Sequence, residues 1–421
     1  MVVGFGSCGI ELLNHANLLK NKKVAIIEEK NEGGTCLNTG CIPSKYWLRA
    51  SHLYKSLPSY KKFGINVEGK ISFEEIKSNM LKFVANIRQN LIHKAQSLGI
   101  EIIKGGALLL NEHTLQVNDK TITFEKLIIA SGSRPIELPH LKFNEKILST
   151  DTFWKSINQN DKIIIVGAGI IGIEVSFMLQ PFKIVKSMVD LAPDILSTFH
   201  LPEEVKHILK QKIKEMGIKI ELATSVKSFA NDKVELTNGQ IYDNISKVLV
   251  AVGRKPNTSW LNNIVKLNDK GYVETNELYQ TSSKHIYACG DVVGSNLAHA
   301  AMYQMQFILK HMFSLQTSAL PLCYPPIIYS DPQIAWCGTF TSEVRTIKFS
   351  HNPTSYLYNV GEECFANLYL EEGKVKGILI VHPYASELIH IFLPFINKQL
   401  KWENEYFAHP SMSFSFRGFN R

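Results

Sequence analysis

Two cysteines, Cys36 and Cys41, stand with four residues between them and follow a pair of glycines. A strand-like apolar run at 24–29 precedes the pair, and Lys45 follows it. Two thiols so placed can close to a disulfide and open again. If a redox cofactor lies against them, they form a dithiol–disulfide reaction centre; otherwise they are two packed cysteines. The surrounding elements must then supply cofactor sites and an acid–base group.

A glycine-rich turn opens the chain ahead of these cysteines. A very short apolar strand leads into G-x-G-x-x-G at Gly4, Gly6 and Gly9, a helical segment follows, and a second strand ends at Glu29. Such glycines let the backbone approach a pyrophosphate, and the helix N-terminus offers it N–H groups. We expect the Glu29 carboxylate to bond a ribose hydroxyl. The glycines alone match many turns by chance, but the strand–helix–strand context favours a nucleotide site.

The same pattern starts again in the middle of the chain. The apolar strand 163–166 leads into a second G-x-G-x-x-G at Gly167, Gly169 and Gly172, and Asp190 closes the next strand. An acidic residue there favours NAD over NADP, because a 2′-phosphate would meet a negative charge. The pattern thus predicts a second nucleotide site.

Each nucleotide unit also ends alike, in a buried strand followed by a turn: Ser131–Pro135 in the first and Gly253–Pro256 in the second. The duplication disfavours the alternative, which is chance glycine turns in an unrelated α/β fold. Pro181 interrupts the second nucleotide helix, so that helix should be short or kinked. A strand ending at Gly290-Asp291 puts a carboxylate at a sheet edge where ligands bind.

The last hundred residues differ in character. Two antiparallel strands are expected at 365–370 and 374–381. An apolar helix over 386–400 contains Pro394 and should be kinked or broken. Its faces are too apolar for a monomer surface, which suggests a subunit interface.

Composition excludes several classes of protein. The chain has 421 residues and a formal charge of +8, and it has no dense basic block, so a nucleic-acid role is disfavoured. No apolar run is long enough for a membrane span, and no signal peptide is expected. Seven cysteines, an odd number, argue against a secreted disulfide framework. A reducing cytoplasm is the expected location.

Residues 33–45 resemble the redox-disulfide segment of the class I flavoprotein pyridine nucleotide-disulfide oxidoreductases, most of all their dihydrolipoamide dehydrogenase branch. The resemblance runs through the whole chain and ends at Ala408-His409-Pro410. It implies an α/β fold with two Rossmann-like domains, for FAD and NAD, and a C-terminal α+β dimerisation domain. The expected segments are 1–145 for FAD and the disulfide, 146–265 for NAD, 266–318 returning to the FAD domain, and 319–421 for the interface.

The resemblance also assigns roles. Cys36 would exchange with substrate, Cys41 would face the flavin, and Lys45 would lie near the flavin. Lys45 would pair with Glu174, and His409 of the neighbouring subunit in a homodimer would be the acid–base. The residues assigned to cofactor binding are Gly4, Gly6, Gly9, Glu29, Gly34, Thr35, Lys45, Ala107, Ser131, Gly132, Gly167, Gly169, Gly172, Asp190, Gly253, Asp291, Ala298 and His299. No metal site is expected.

The implied function is oxidation of protein-bound dihydrolipoamide with NAD as acceptor, the partner being a lipoyl-bearing subunit of a 2-oxoacid dehydrogenase or glycine-cleavage complex. Alternatives are an FAD/NAD(P)H reductase of another disulfide or of a metal ion, and a divergent member with reduced turnover. The last follows from Phe414, which stands where the family has the glutamate that orients the histidine. Three acidic residues could substitute for that glutamate: Glu387, Glu403 and Glu405.

Overall fold

The computed structural model describes residues 1–316, 318, 323–358, 360–399 and 407–420. Its α-helices are α1 Ser7–Asn14, α2 Gly34–Asn38, α3 Cys41–Ser56, α4 Phe73–Ser97, α5 Phe153–Ser156, α6 Ile170–Met178, α7 Glu203–Glu215, α8 Ala298–Met312, α9 Thr354–Leu357 and α10 Ala385–Leu388. The 3₁₀ turns are Ala16–Leu19, Leu57–Phe63, Gln180–Phe182, Ser259–Leu261, Gly290–Val293, Phe349–His351, Ile389–Ile391, Leu393–Phe395 and Ser413–Asn420.

The strands of the first half are β1 Val2–Val3, β2 Ala25–Glu28, β3 Glu101–Lys104, β4 Ala107–Asn111, β5 Thr114–Val117, β6 Lys120–Thr123, β7 Leu127–Ile129, β8 Ser133–Pro135, β9 Ile147–Ser149, β10 Ile163–Val166 and β11 Val185–Val189. Those that follow are β12 Lys219–Glu221, β13 Val226–Ala230, β14 Lys233–Leu236, β15 Ile241–Tyr242, β16 Lys247–Val250, β17 Arg254–Pro256, β18 Ile286–Ala288, β19 Ile327–Ile328, β20 Gln333–Gly338, β21 Glu343–Lys348, β22 Phe365–Glu371 and β23 Lys374–His382.

The chain forms two compact units. The first comprises the described residues of Met1–Ala50, Ser72–Gly167 and Val226–Pro321, and the second those of Ser51–Ile71, Ala168–Ser225 and Leu322–Arg421. The four functional segments expected from the sequence remain a prediction.

A five-stranded parallel sheet, in the order β18-β7-β1-β2-β3, forms the centre of the first unit. Because side chains alternate along a strand, adjacent residues pack on opposite faces. Val2 and Ile26 contribute to the core on one face, together with residues of α1 and α8. Val3 and Ile27 contribute to the core on the other face. Parallel strands buried on both faces are typical of nucleotide-binding α/β folds, as the sequence predicted.

The first unit also holds the parallel strands β9, β16 and β10. The two strand endings that echo each other in the sequence pair with each other, because β8 and β17 form an antiparallel ribbon. The internal repeat is therefore visible as a direct contact between its two copies.

In the second unit, α6 ends at Met178 and a 3₁₀ turn that contains Pro181 follows, so the expectation of a shortened helix is confirmed. β11 and β12 pair in parallel. The C-terminal part is a five-stranded antiparallel sheet, β19-β20-β23-β22-β21, and the expected hairpin turns at Glu372 and Gly373, both with positive φ.

The apolar segment predicted as one broken helix is indeed broken. α10 ends at Leu388 and is followed by two 3₁₀ turns, the second of which contains Pro394. The end of that predicted helix, Leu400, lies outside the described residues. None of the helices in the described part of the chain is long and apolar enough to cross a membrane.

Candidate active site

The first glycine turn leads from β1 to α1. Gly4 has a φ of +113°, and a Cβ there would lie 2.1 Å from the carbonyl oxygen of Ala130. Gly6 precedes α1 in extended conformation, no side chain caps the helix, and its first turn has no acidic residue. The N–H groups of this helix N-terminus can therefore serve an anionic phosphate.

The carboxylate at the end of β2 belongs to Glu28 rather than to Glu29. Glu28 is buried; its two oxygens accept hydrogen bonds from the N–H groups of Phe5 and Lys30, both at 2.8 Å. The carboxylate of Glu29 lies instead near Gly106, 3.5 Å from the position of a Cβ there. Adjacent residues at a strand end point in opposite directions, so an assignment shifted by one residue selects the wrong side. The structure thus puts Glu28 beside the nucleotide turn, where the sequence analysis expected Glu29.

The cysteine segment folds as two helices joined by a tight turn. Cys36 lies in α2, and Cys41 begins α3. The N–H of Gly40 donates to the carbonyl of Thr35 at 2.7 Å, which closes the turn between them. At the other end of α2, a Cβ on Gly34 would lie 2.6 Å from the Cα of Gly6. The helix that carries Cys36 therefore starts directly against the nucleotide turn.

The two thiols are within hydrogen-bonding reach of each other. The hydrogen bond with Cys41 and burial raise the pKa of the Cys36 thiol strongly, and the nearby charge of Lys45 opposes this only weakly. Cys36 is half-buried and Cys41 exposed, and both are reduced here. Cys36 in this state is a neutral thiol at physiological pH, so deprotonation needs a separate base.

Asp291 lies in the 3₁₀ turn after β18, close to the end of the parallel sheet. Its Oδ2 accepts a hydrogen bond from the Ser133 hydroxyl at 2.5 Å. Burial raises the pKa of the Asp291 carboxyl, while the Ser133 hydrogen bond and the charge of Arg254 act in the opposite direction.

Arg254 was missed as a site residue in the sequence analysis. Its guanidinium donates to Asp151 at 2.7 Å and to the Ser133 hydroxyl at 2.8 Å, and it reaches the Thr35 hydroxyl at 3.3 Å. Because Thr35 adjoins Cys36 and Ser133 bonds Asp291, one side chain connects the redox helix to the carboxylate at the sheet edge. The signal was present in the repeated strand endings, in which an arginine precedes each proline by one or two residues.

Other residues assigned to cofactor binding lie on the same unit. The Ser131 hydroxyl donates to the carbonyl of Asn257 at 2.7 Å and accepts from the Trp260 indole at 3.0 Å. Gly132 and Gly253 have positive φ. Three more are placed at element starts: Ala107 begins β4, and Ala298 and His299 begin α8.

The second glycine turn repeats the design of the first. Gly167 has a φ of +115°, and a Cβ there would lie 2.4 Å from the Ala251 carbonyl oxygen. Asp190 accepts hydrogen bonds from the N–H groups of Ala168 at 2.6 Å and Ala192 at 2.8 Å. Asp190 thus bonds its glycine turn as Glu28 bonds the first. Gly169 precedes α6, and Gly172 is buried within it.

Glu174 is buried in α6, where it accepts a hydrogen bond from the Tyr329 N–H at 3.0 Å. Its pairing with Lys45 stays a prediction. Among the described residues, no group of three or more His, Cys, Asp or Glu side chains could hold a metal ion.

His409 packs edge-to-face on Phe414, with ring centroids 4.8 Å apart and planes at 72°. The Arg417 guanidinium lies 4.8 Å from the centroid of the same Phe414 ring. No carboxylate within the described parts of the chain hydrogen-bonds to the imidazole. Glu387 lies in α10 and is within 3.5 Å of the Ser386 hydroxyl, and the other two candidates, Glu403 and Glu405, lie outside the described residues.

Comparison with known proteins agrees with this arrangement. Residues 1–304 match the profile of the family described as pyridine nucleotide-disulphide oxidoreductase. The chain belongs to this family. Dihydrolipoyl dehydrogenase of Geobacillus stearothermophilus is 31% identical over 92% of this chain and 87% of its own length. The Bacillus subtilis enzyme of the same name is 30% identical over 93% and 90%.

Two solved structures share the fold of this pyridine nucleotide-disulphide oxidoreductase. LpdA of Mycobacterium tuberculosis matches with a TM-score of 0.88 at 21% identity, over 99% of this chain and 97% of its own. The HOCl-induced flavoprotein disulfide reductase RclA of Escherichia coli matches with a TM-score of 0.85 at 21% identity, over 99% and 98%. The mixed α/β architecture predicted from the sequence is thereby confirmed.

As an oxidoreductase of this family, the protein works with FAD and NAD(H). Its own residues fit such dinucleotides: both turns have a glycine that no other residue can replace without a backbone clash. Both also have a carboxylate at the end of the next strand and a helix N-terminus without a side-chain cap.

Proposed function

We propose that this enzyme oxidises protein-bound dihydrolipoamide to lipoamide, with NAD as the electron acceptor. The observation that carries the proposal is the Cys36–Cys41 thiol pair, which lies on two adjoining helices beside a nucleotide turn. The names of the relatives support lipoamide as the substrate, because each is a dihydrolipoyl dehydrogenase.

The cysteine pair performs the exchange as follows. In the oxidised enzyme, a substrate thiolate attacks Cys36, the Cys36–Cys41 bond breaks, and Cys41 leaves as a thiolate. The second substrate thiol displaces Cys36, so the substrate loses two electrons and two protons and the enzyme gains a dithiol. The positive charge of Lys45 favours the Cys41 thiolate. The first glycine turn and Glu28 would hold FAD, and bound FAD would supply a two-electron acceptor beside the dithiol and a hydride donor for NAD.

A base must take the protons that this exchange releases. Histidine suits the task, since its ordinary pKa of about 6.5 lies near neutrality, and His409 is our candidate, acting from the second subunit of a homodimer. The apolar side chains of the segment around α10, such as Leu388, Ile389 and Phe392, are buried in the core of this chain itself, so the expected subunit interface stays a prediction. We also propose a lipoyl-bearing subunit of a 2-oxoacid dehydrogenase or glycine-cleavage complex as partner, in the cytoplasm.

The test is NADH formation from dihydrolipoamide and NAD by the purified FAD-loaded protein. Cys36→Ser should abolish it. Cys364→Ser is the matched control, because Cys364 is a buried cysteine in the C-terminal core. A two-electron reductant should also produce a long-wavelength charge-transfer band that Cys41→Ser removes. No NADH from protein with bound FAD would refute lipoamide chemistry.

A second candidate is a divergent member with reduced turnover, which the Phe414 ring against His409 favours. A histidine without a carboxylate partner loses control of its tautomer and some basicity. Turnover typical of the relatives, with a steep fall in His409→Gln, would exclude this candidate. Activity with another disulfide or a metal ion, and none with dihydrolipoamide, would instead favour a related reductase.

A further inference from the structure

A second pair of cysteines lies buried in the first unit and takes no part in the mechanism above. Cys8 and Cys289 are 281 residues apart in sequence, and the Cys289 thiol donates to the Cys8 sulfur at 3.3 Å. The Cys8 thiol in turn approaches the carbonyl of Ala301 at 3.5 Å. Both side chains are buried, at 5% and 0% exposure.

The two cysteines belong to the two segments that line the first nucleotide site. Cys8 lies in the first turn of α1, between Gly6 and Gly9 of the glycine motif. Cys289 ends the strand segment that leads into Gly290 and Asp291. A Cβ on Gly290 would lie 3.3 Å from the Cys8 sulfur, so no side chain separates the two segments here. A bond between the sulfurs would fix the glycine turn to the Asp291 turn.

We propose that Cys8 and Cys289 form a second, non-catalytic redox couple, which a hydroperoxide closes to a disulfide across the FAD cradle when the cofactor is absent. A disulfide has an S–S distance of about 2.05 Å, so the sulfurs must approach by only about 1.2 Å from their present 3.3 Å.

The environment distinguishes the two thiols. Cys8 lies in the N-terminal turn of α1, and its sulfur accepts the hydrogen bond from the Cys289 S–H group. Burial and the hydrogen bond to Cys8 raise the pKa of Cys289, so Cys289 stays protonated. Cys8 is thus the attacking group, and Cys289 is the resolving group.

The reaction balances with one hydroperoxide. The Cys8 thiol attacks the peroxide oxygen, which breaks the O–O bond; the thiol proton goes to the leaving oxygen, so one water (or alcohol) is released and a sulfenic acid is left. The Cys289 sulfur then displaces water from that sulfenic acid and gives up its proton. The two thiols together lose two electrons and two protons, and hydrogen peroxide becomes two waters.

Access decides when this occurs. Both sulfurs are buried in the core next to the first glycine turn, so we expect bound FAD to keep them shielded. The proposal requires that this turn opens more readily in the cofactor-free protein, which exposes the pair. Once formed, the cross-link joins residues far apart in sequence and restricts the unfolded chain, so it stabilises the cofactor-free protein.

The test uses the full chain with Cys36 and Cys41 both replaced by serine, which prevents exchange with the catalytic pair. FAD-free and FAD-loaded samples are treated with hydrogen peroxide, alkylated and digested without reduction. Mass spectrometry should find the Cys8 peptide joined to the Cys289 peptide in the FAD-free sample, at least ten-fold more than in the loaded one. The thermal midpoint of the oxidised FAD-free protein should rise by about 5 °C or more and return on reduction.

Two further variants serve as controls. Cys289→Ala should remove both the cross-linked peptide and the rise in the thermal midpoint, whereas Cys364→Ala should keep both. The proposal is overturned if the FAD-free protein gives no Cys8–Cys289 peptide, if FAD gives no protection, or if oxidation leaves the midpoint unchanged. The peptide measurement needs no substitution at Cys8 or Cys289, so it decides the matter even if those variants fail to fold.

Discussion

Replacing Arg254 with methionine should destabilise the first unit far more than the same change at Arg134, its neighbour on the antiparallel ribbon. Arg254 makes a 2.7 Å ion pair with Asp151 and a 2.8 Å hydrogen bond to Ser133. A hydrogen bond to a charged group contributes about 1.5–3 kcal/mol when its loss leaves a buried partner unpaired. The Arg254 and Asp151 side chains are 16% and 26% exposed, so water replaces part of the loss. We expect a loss of about 3 kcal/mol in the free energy of unfolding.

Arg134→Met provides the comparison. Within the described parts of the chain, Arg134 donates to two neutral oxygens, those of Pro256 at 3.4 Å and Asn257 at 3.0 Å. Its removal should cost about 1 kcal/mol or less.

The measurement is urea denaturation of the FAD-loaded proteins, followed by flavin fluorescence and by circular dichroism. Flavin release should occur at a clearly lower urea concentration in Arg254→Met than in Arg134→Met, because Arg254 bonds both Thr35 and Ser133, the partner of Asp291. Equal midpoints for the two variants would refute the assignment of Arg254 as the residue that joins these segments.

Three further predictions concern other parts of the chain. Glu28→Gln should weaken FAD binding about ten-fold, because it removes the charged acceptor of the Phe5 and Lys30 N–H groups, whereas Glu29→Gln should leave it unchanged in a fluorescence titration. A larger loss in Glu29→Gln than in Glu28→Gln would return the role to Glu29. Phe414→Glu should raise dihydrolipoamide turnover about ten-fold by giving His409 a carboxylate partner, and an unchanged rate would mean that another group already orients the ring. Burial lowers the pKa of His382 to about 3 from its ordinary 6.5, so the unfolded chain binds the extra proton between these values and stability falls as pH falls from about 6.5 towards 3. His382→Gln should flatten that part of a plot of urea midpoint against pH, and an undiminished slope would exclude His382 as its source.

The sequence predicted secondary structure best where hydrophobic periodicity, a capping residue or a proline allows one local conformation. The strand predicted over 163–166 is β10 as expected, and the strongly periodic segment Phe73–Ser97 forms the helix α4. Strong periodicity and capping define such elements locally: the Ser72 hydroxyl, for example, accepts the Glu75 N–H at the start of α4. Pro181 shortened α6 for the equally local reason that proline cannot continue the hydrogen-bond ladder.

Features that depend on contacts between distant residues were missed. Glu28 and Glu29 are neighbours of the same type, and only the position of the glycine turn decides which of them bonds Phe5. The role of Arg254 depends on partners more than a hundred residues away along the chain. Cys323 and Cys337 form a disulfide in the second unit, and their spacing alone gave no signal of it. A local sequence pattern predicts a helix or a strand. The residues that this helix or strand contacts depend on how the whole sheet is assembled.

The contact between Gly6 and Gly34 restricts how this enzyme could be altered. A Cβ on Gly34 would lie only 2.6 Å from the Gly6 Cα. The backbone of the nucleotide turn therefore packs directly against the start of α2, the helix that carries Cys36. A library that varied this turn to change flavin affinity would also displace Cys36, two residues further along. A change that alters flavin affinity would therefore also alter the position of the Cys36 thiol. Any engineered cofactor preference would need compensating changes within α2.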